Sequence, residues 1–126
     1  MQWDVYNERC PTRILLDRVA DKWTVLVVGA LEEKTKRFGQ LRREIGGVSQ
    51  KMLTQTLRQL ERDGVVCRRI YASVPPKVEY SLTELGLSLV PVLATIKEWS
   101  ETHIQIVLKA RDEYDTRVGG SDEIER

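Results

Sequence analysis

Lys51, Gln55, Arg58 and Arg62 follow one another at spacings of four, three and four. On a helix, at about 100° per residue, that spacing gathers their side chains on one face. Thr54 and Gln59 flank them, and the face contains no acid; Glu61 falls on the flank nearer the apolar side. These residue types suit reading of double-stranded DNA. Arg and Lys donate to guanine O6 and N7, Gln pairs bidentately with adenine, and Thr reaches bases or phosphates. The N-terminal residues of a groove-bound helix lie nearest the bases. Ser49, Gln50, Lys51, Thr54 and Gln55 are therefore expected to read bases, and Arg58 and Arg62 to hold phosphate. An ordinary solvated face would interleave Glu with its Lys and Arg.

Cys10 carries a second chemistry. It precedes Pro11 at the expected start of a helix, beside Arg9 and near Arg13. A positive helix end and nearby cations favour the thiolate, the reactive form of a thiol. The alternative is an inert capping cysteine. Cys67 is expected to be a small buried apolar residue in a strand. Other chemistries lack their parts. There is no phosphate-binding glycine loop, no nucleophile–base pair and no Cys/His cluster at zinc spacing, and His103 stands alone. Neither an enzyme nor a bound metal or cofactor is expected.

The elements that must position these groups are legible in the apolar pattern. Pro11 suits the first position of a short helix containing Ile14, Leu15, Arg18 and Val19. Asp21 can cap a second, with Trp23, Leu26, Val27, Ala30 and Leu31 on one face. Lys34, Thr35, Lys36 and Arg37 form a basic turn, and Phe38, Leu41 and Ile45 mark a third helix ended by Gly46-Gly47. Ser49 caps the next helix, which runs to about Asp63 and stops at Gly64; Leu53, Leu57 and Leu60 are its buried row. Residues 65–71 and 78–82 read as strands joined by a loop too short for anything but a hairpin. Arg68, Arg69 and Lys77 make this hairpin basic, and Arg37, with Lys34 and Lys36, could grip the DNA backbone from the other side. Thr83-Glu84 opens a last helical region whose apolar residues run from Leu85 to Leu108, with Pro91 expected to kink or split it. That stripe exceeds what one chain of this size can cover.

The order is helix, helix, helix, helix, strand, strand, helix. It defines a mainly α fold with a small β-hairpin wing, a winged helix-turn-helix. The 126 residues form one domain. Residues 10–36 hold the first helices, 37–82 the helix-turn-helix and wing, 83–115 the C-terminal helices, and 116–126 a flexible tail. Net charge is +1, yet residues 34–77 contain eleven Lys/Arg against three acids, whereas residues 98–126 contain eight acids against four bases. A basic middle beside an acidic end suggests that one face meets a polyanion. No apolar run approaches the ~20 residues of a membrane helix. A polar start and two cysteines point to the reducing cytoplasm, with no membrane partner.

Several stretches together resemble one family. They are the run Arg37-Phe38-Gly39-Gln40-Leu41-Arg42-Arg43-Glu44-Ile45, then Ser49-Gln50-Lys51-Met52-Leu53-Thr54, then Leu57-Arg58-Gln59-Leu60-Glu61-Arg62-Asp63-Gly64-Val65-Val66 with Arg69. Val74-Pro75-Pro76-Lys77-Val78-Glu79-Tyr80-Ser81-Leu82-Thr83 with Gly86 is the most distinctive, and Cys10-Pro11 and Lys22-Trp23 complete the set. Over roughly residues 10–100 the sequence resembles the HxlR-type winged-helix regulators, related to the MarR group. The resemblance implies a bacterial homodimer on a pseudo-palindromic operator, joined through its first and C-terminal helices. Ile14, Leu15, Leu89, Leu93, Ile96, Trp99, Ile104 and Leu108 are then the interface residues. It further implies that Cys10 matches a cysteine that in several relatives senses electrophiles or oxidants. No C-terminal cysteine is present to complete an intersubunit disulfide. A sensing Cys10 would instead couple to Cys10 of the partner subunit, form a mixed disulfide with a small thiol, or be alkylated. Two alternatives stay open: control by a small ligand, and a protein-binding winged helix that does not touch DNA.

Overall fold

The computed structural model describes residues 2–120. The chain forms α1 (Thr12–Val19), α2 (Lys22–Ala30), β1 (Lys36–Arg37), α3 (Phe38–Glu44), α4 (Gln50–Arg62), β2 (Val66–Tyr71), β3 (Lys77–Leu82) and α5 (Glu84–Gly120). It divides into two compact units, residues up to 94 and residues from 95 onward.

In the first unit, Val27, Val28, Leu31, Leu41, Ile45, Leu53, Leu57, Leu60, Val65, Val66 and Leu93 form one buried cluster. Each such side chain removed from water contributes about 1.5–3 kcal/mol before entropy is counted. The leucine row of α4 is buried as expected. Of the expected face of α2, Val27 and Leu31 are buried, Trp23 and Ala30 partly so and Leu26 is 39% exposed, while Thr24 and Val28 are buried as well.

Local signals set the helix ends. The Asp21 carboxylate accepts from the Trp23 and Thr24 N–H groups, at 2.8 and 3.4 Å. The Ser49 hydroxyl accepts from Met52 N–H at 3.0 Å. At the far end of α4, Gly64 has φ +79°, a backbone that only glycine adopts freely. There Val65 N–H bonds Leu60 O at 2.9 Å and Gly64 N–H bonds Glu61 O at 3.1 Å, closing the helix as a Schellman motif. α1 begins one residue later than expected, with Pro11 as the cap.

Three differences from expectation have physical causes. First, the supposed basic turn contains β1, which pairs antiparallel with β3 in a three-stranded sheet of order β1-β3-β2. Second, Pro91 does not split the last helix: α5 is continuous through it. Leu89 and Val90 lean on the core and Leu93 is 2% exposed, so packing on both sides offsets the missing hydrogen bond. Third, α5 runs through Gly120, so residues 116–120 of the expected tail are helical, and residues 121–126 lie outside the described ones.

The second unit is the stretch of α5 from residue 95 on. Ile96, Trp99, Ile104, Ile106, Leu108 and Tyr114 are each at least 40% exposed, and the Trp99 and His103 rings stack at 4.7 Å. No helix among the described residues is long and apolar enough to cross a membrane.

Candidate nucleic-acid interface

The interface begins at α4. Its leucines are buried, and the opposite side leaves Gln50, Lys51, Gln55, Arg58 and Arg62 exposed, with Thr54 and Gln59 partly so. Gln50, Lys51, Thr54, Gln55, Arg58 and Gln59 line one open depression along it. Among the described residues Lys51, Arg58 and Arg62 enter no ion pair, so their charges are available to an external anion. Ser49 is partly committed, since its hydroxyl caps the helix.

The sheet divides the basic residues of the wing between its faces. Val66 is buried, so the pleat turns Arg68 and Ile70 to the same side and Cys67, Arg69 and Tyr71 to the other. On the outer side Glu79 is the cross-strand neighbour of both Arg37 and Arg69. Lys77 Nζ lies 3.5 Å from the Glu79 carboxylate and 4.7 Å from the centre of the Tyr71 ring, over which Arg69 also lies. The three expected backbone contacts Arg37, Arg69 and Lys77 thus surround one acid. The loop beyond them, with its cis Val74-Pro75 bond, is exposed. Cys67 is exposed rather than buried. The pleat is the reason: beside inward Val66, residue 67 must face out.

On the inner side a cavity of about 380 Å³ opens between α4 and the wing, lined by Phe38, Gln50, Thr54, Leu57, Arg58, Glu61, Arg68 and Tyr80. Arg68 Nε donates to Glu61 Oε1 at 3.2 Å. Burial holds the Tyr80 phenol above its ordinary value, with Glu61 pushing the same way and Arg68 and Arg58 opposing. Arg68, not Arg69, is therefore the wing cation that shares a wall with the recognition face. Counting by two from the buried Val66 would have found it. Lys36, by contrast, is withdrawn: its ammonium lies 2.5 Å from the Glu44 carboxylate and its side chain is 13% exposed.

Cys10 is partly buried just ahead of α1, and its Sγ accepts from the Thr12 hydroxyl at 3.1 Å and from Asp4 N–H at 3.3 Å. The Thr12 hydroxyl is the main cause holding the thiol below its usual value, followed by the Thr12 and Asp4 N–H groups; burial and the Asp4 carboxylate oppose them. The expected help from Arg13 is absent. Its guanidinium donates instead to Val5 O and Tyr6 O, pinning the segment before the helix.

Of the residues expected at a dimer interface, Ile14, Leu15, Ile96, Trp99, Ile104 and Leu108 are 40–60% exposed. Leu93 is a core residue and Leu89 packs partly against that core, because the stripe's first turns lie on the chain's own body.

Comparison with known proteins identifies the family. A family model described as HxlR-like helix-turn-helix matches residues 18–107. The HTH-type transcriptional regulator YtfH of Escherichia coli K12 is 48% identical over 110 residues, 87% of either chain. The solved structure of the YtfH regulator from Salmonella typhimurium is 44% identical, with a TM-score of 0.81 over 88% of this chain and 99% of that one. The oxidized form of the redox regulator HypR is 45% identical, with a TM-score of 0.68 over 74% of this chain and 96% of that one. Winged fold, helix-turn-helix and sequence agree: the chain belongs to the HxlR-like helix-turn-helix family of transcriptional regulators.

Proposed function

We propose that the chain binds double-stranded DNA as a cytoplasmic homodimer on a pseudo-palindromic operator, with α4 in the major groove. One observation carries the reading. The helix whose leucines anchor it in the core presents an exposed, acid-free row in which Lys51, Arg58 and Arg62 have no ion-pair partner among the described residues. Lys51 and Gln55 read bases; Arg58 and Arg62, with Arg37, Arg69 and Lys77, hold phosphates. Two such helices, one DNA turn apart, match a two-fold operator. The test is fragment selection with the purified protein, followed by salt titration of the selected site. Log affinity falls with log salt by about 0.9 for each phosphate neutralised. Arg58→Ala weakens binding to all sequences and lowers that slope by about one, whereas Gln55→Ala changes the preferred base. Weak, salt-independent association would instead indicate a protein-binding module.

A second reading concerns control. The hydrogen-bonded Cys10 sulfur, with its lowered pKa, suits a thiol switch, and the likeness to HypR supports it. An external oxidant would remove two electrons and two protons as Cys10 joins Cys10 of the partner subunit or a small thiol; an electrophile would alkylate it directly. Operator binding by the wild type falls on diamide or quinone treatment, and Cys10→Ser resists. Equal loss in both proteins eliminates the switch and leaves a reversible ligand as the controlling signal.

A further inference from the structure

We propose that Arg18 is a positioning residue for DNA recognition: its ion pair with Asp63 locks the end of α4 to α1 and so sets the spacing between half-sites that the dimer accepts. This rests on the reading of α4 as the groove-bound helix and of α1 as part of the dimer interface.

α1 is weakly held by apolar contact. It has no buried residue, and Ile14, Leu15 and Leu16 are each about half exposed. Its apolar packing is against α2, with Val19 leaning on the core. Its firm polar tie is Arg18 Nε donating to Asp63 Oδ2 at 2.5 Å, across 45 positions of sequence. The two side chains are only 22% and 14% exposed, so water and salt screen the pair poorly.

Asp63 is an unexpected residue where it stands. It is the C-cap of α4, where the negative end of the helix dipole disfavours a carboxylate. Arg18 resolves the conflict. It lies in the last turn of α1, so its cation faces the negative ends of two helices and one carboxylate together. The Asp63 backbone is also fixed, because the Schellman closure at Gly64 and Val65 leaves it no alternative path. A fixed anchor on the recognition helix therefore meets a cation on a helix that has no buried residue of its own. Movement of α1 relative to its counterpart in the dimer then reaches α4 as movement of the helix end, where a small tilt displaces the base-reading turns.

The experiment selects from an operator library in which both half-sites are fixed and the spacer varies in length. The proteins are wild type, Arg18→Met, Asp63→Asn, Arg18→Lys and the reversed pair Arg18→Asp/Asp63→Arg. Wild type prefers one spacing by about ten-fold, a size ordinary for coupling within one charged pair. Arg18→Met and Asp63→Asn flatten that preference while retaining the preferred bases within a half-site. The reversed pair restores much of it, and Arg18→Lys falls between. Circular dichroism confirms that each variant is folded. Spacing preference unchanged in both single variants overturns the proposal, whatever happens to total affinity. A failure of the reversed pair to restore it, or loss of half-site base preference together with spacing, assigns the pair a merely structural role and overturns it as well. Absence of salt-sensitive DNA binding by the wild type is a different failure, that of the DNA-binding reading itself.

Discussion

At the scale of single residues, charge placement separates what sequence shows from what geometry adds. The row Lys51, Gln55, Arg58 and Arg62 was readable because its spacing alone defines a face. The partners that tune it were not. Glu61 stood on the flank of a wheel, and only the pleat of β2 shows that Arg68 meets it. Both side chains are about 40% exposed, so the pair contributes less than ~1 kcal/mol to stability. Its effect belongs to binding, since it places an acid beside the proposed phosphate path. Glu61→Gln should leave the unfolding midpoint nearly unchanged, tighten DNA binding, and steepen the salt slope by about one as Arg68 becomes free. A weaker-binding variant would show that Glu61 holds Arg68 for DNA rather than away from it. Cys10 teaches a related lesson. Its neighbours in sequence pointed to arginines, whereas the sulfur is served by Thr12, two residues on. Thr12→Val should therefore raise the midpoint of the alkylation rate against pH, measured in a Cys67→Ser background. The linkage has the sign of a lowered acid. Stability from the hydrogen-bonded thiolate is present above the unfolded thiol's range and is lost as pH falls through the lowered folded value. An unmoved midpoint would dismiss Thr12 as the cause.

At the scale of elements, whatever rests on local periodicity and capping was legible, and whatever rests on distant pairing was not. The boundaries of α4 follow from Ser49, three leucines and Gly64, all within sixteen residues of each other. The two-residue strand β1 exists only because Lys36 and Arg37 meet Tyr80 and Glu79, more than forty positions away. Pro91 leaves the helix unsplit for the same reason, since the packing that offsets it comes from other elements. Gly86 is a third case. It stands out in the family-like run, yet its role appears only where α5 meets the end of α4. A Cβ there would lie 2.3 Å from the Val65 carbonyl oxygen, which is backbone and cannot swing aside. Thr83 completes the junction: its hydroxyl reaches Gly64 O and Val65 O and accepts from Gly86 N–H. Gly86→Ala should lower stability by about 1–3 kcal/mol, the usual range for overpacking. Thermal unfolding measures it, with Gly29→Ala as control because nothing lies within 4 Å of a Cβ at that position. Equal midpoints for the two variants would refute the tight junction.

At the scale of the whole molecule, the remaining question is what covers the exposed apolar residues. Their periodicity along α5 was readable, but it could not show where core ends and free surface begins. Leu93 and Ile96 continue one helical stripe, and only the neighbouring elements make the first 2% and the second 40% exposed. From residue 95 on, Trp99 at 60% exposure shares one side of the helix with Ile106 and Tyr114, and Ile104 at 47% and Leu108 at 54% lie on another. Exposed patches of this kind mark interaction sites. A second copy is the partner that the proposed two-fold operator would require, and an isologous contact would bring each patch against its equivalent. Trp99 is the natural anchor, being the largest of these side chains and of the type that dominates interface energetics. Trp99→Asp should weaken self-association by about a hundred-fold or more, read by sedimentation equilibrium, because it places a charge where the proposed dimer would bury an aromatic anchor. The monomer should retain the fold of residues up to 94, whose core does not include Trp99. It should therefore bind a single half-site with unchanged base preference, and lose the added affinity that two linked half-sites provide. A Trp99→Asp protein that still sediments as a dimer would move the interface away from the C-terminal stretch of α5 and leave the exposed face of α1 to account for pairing.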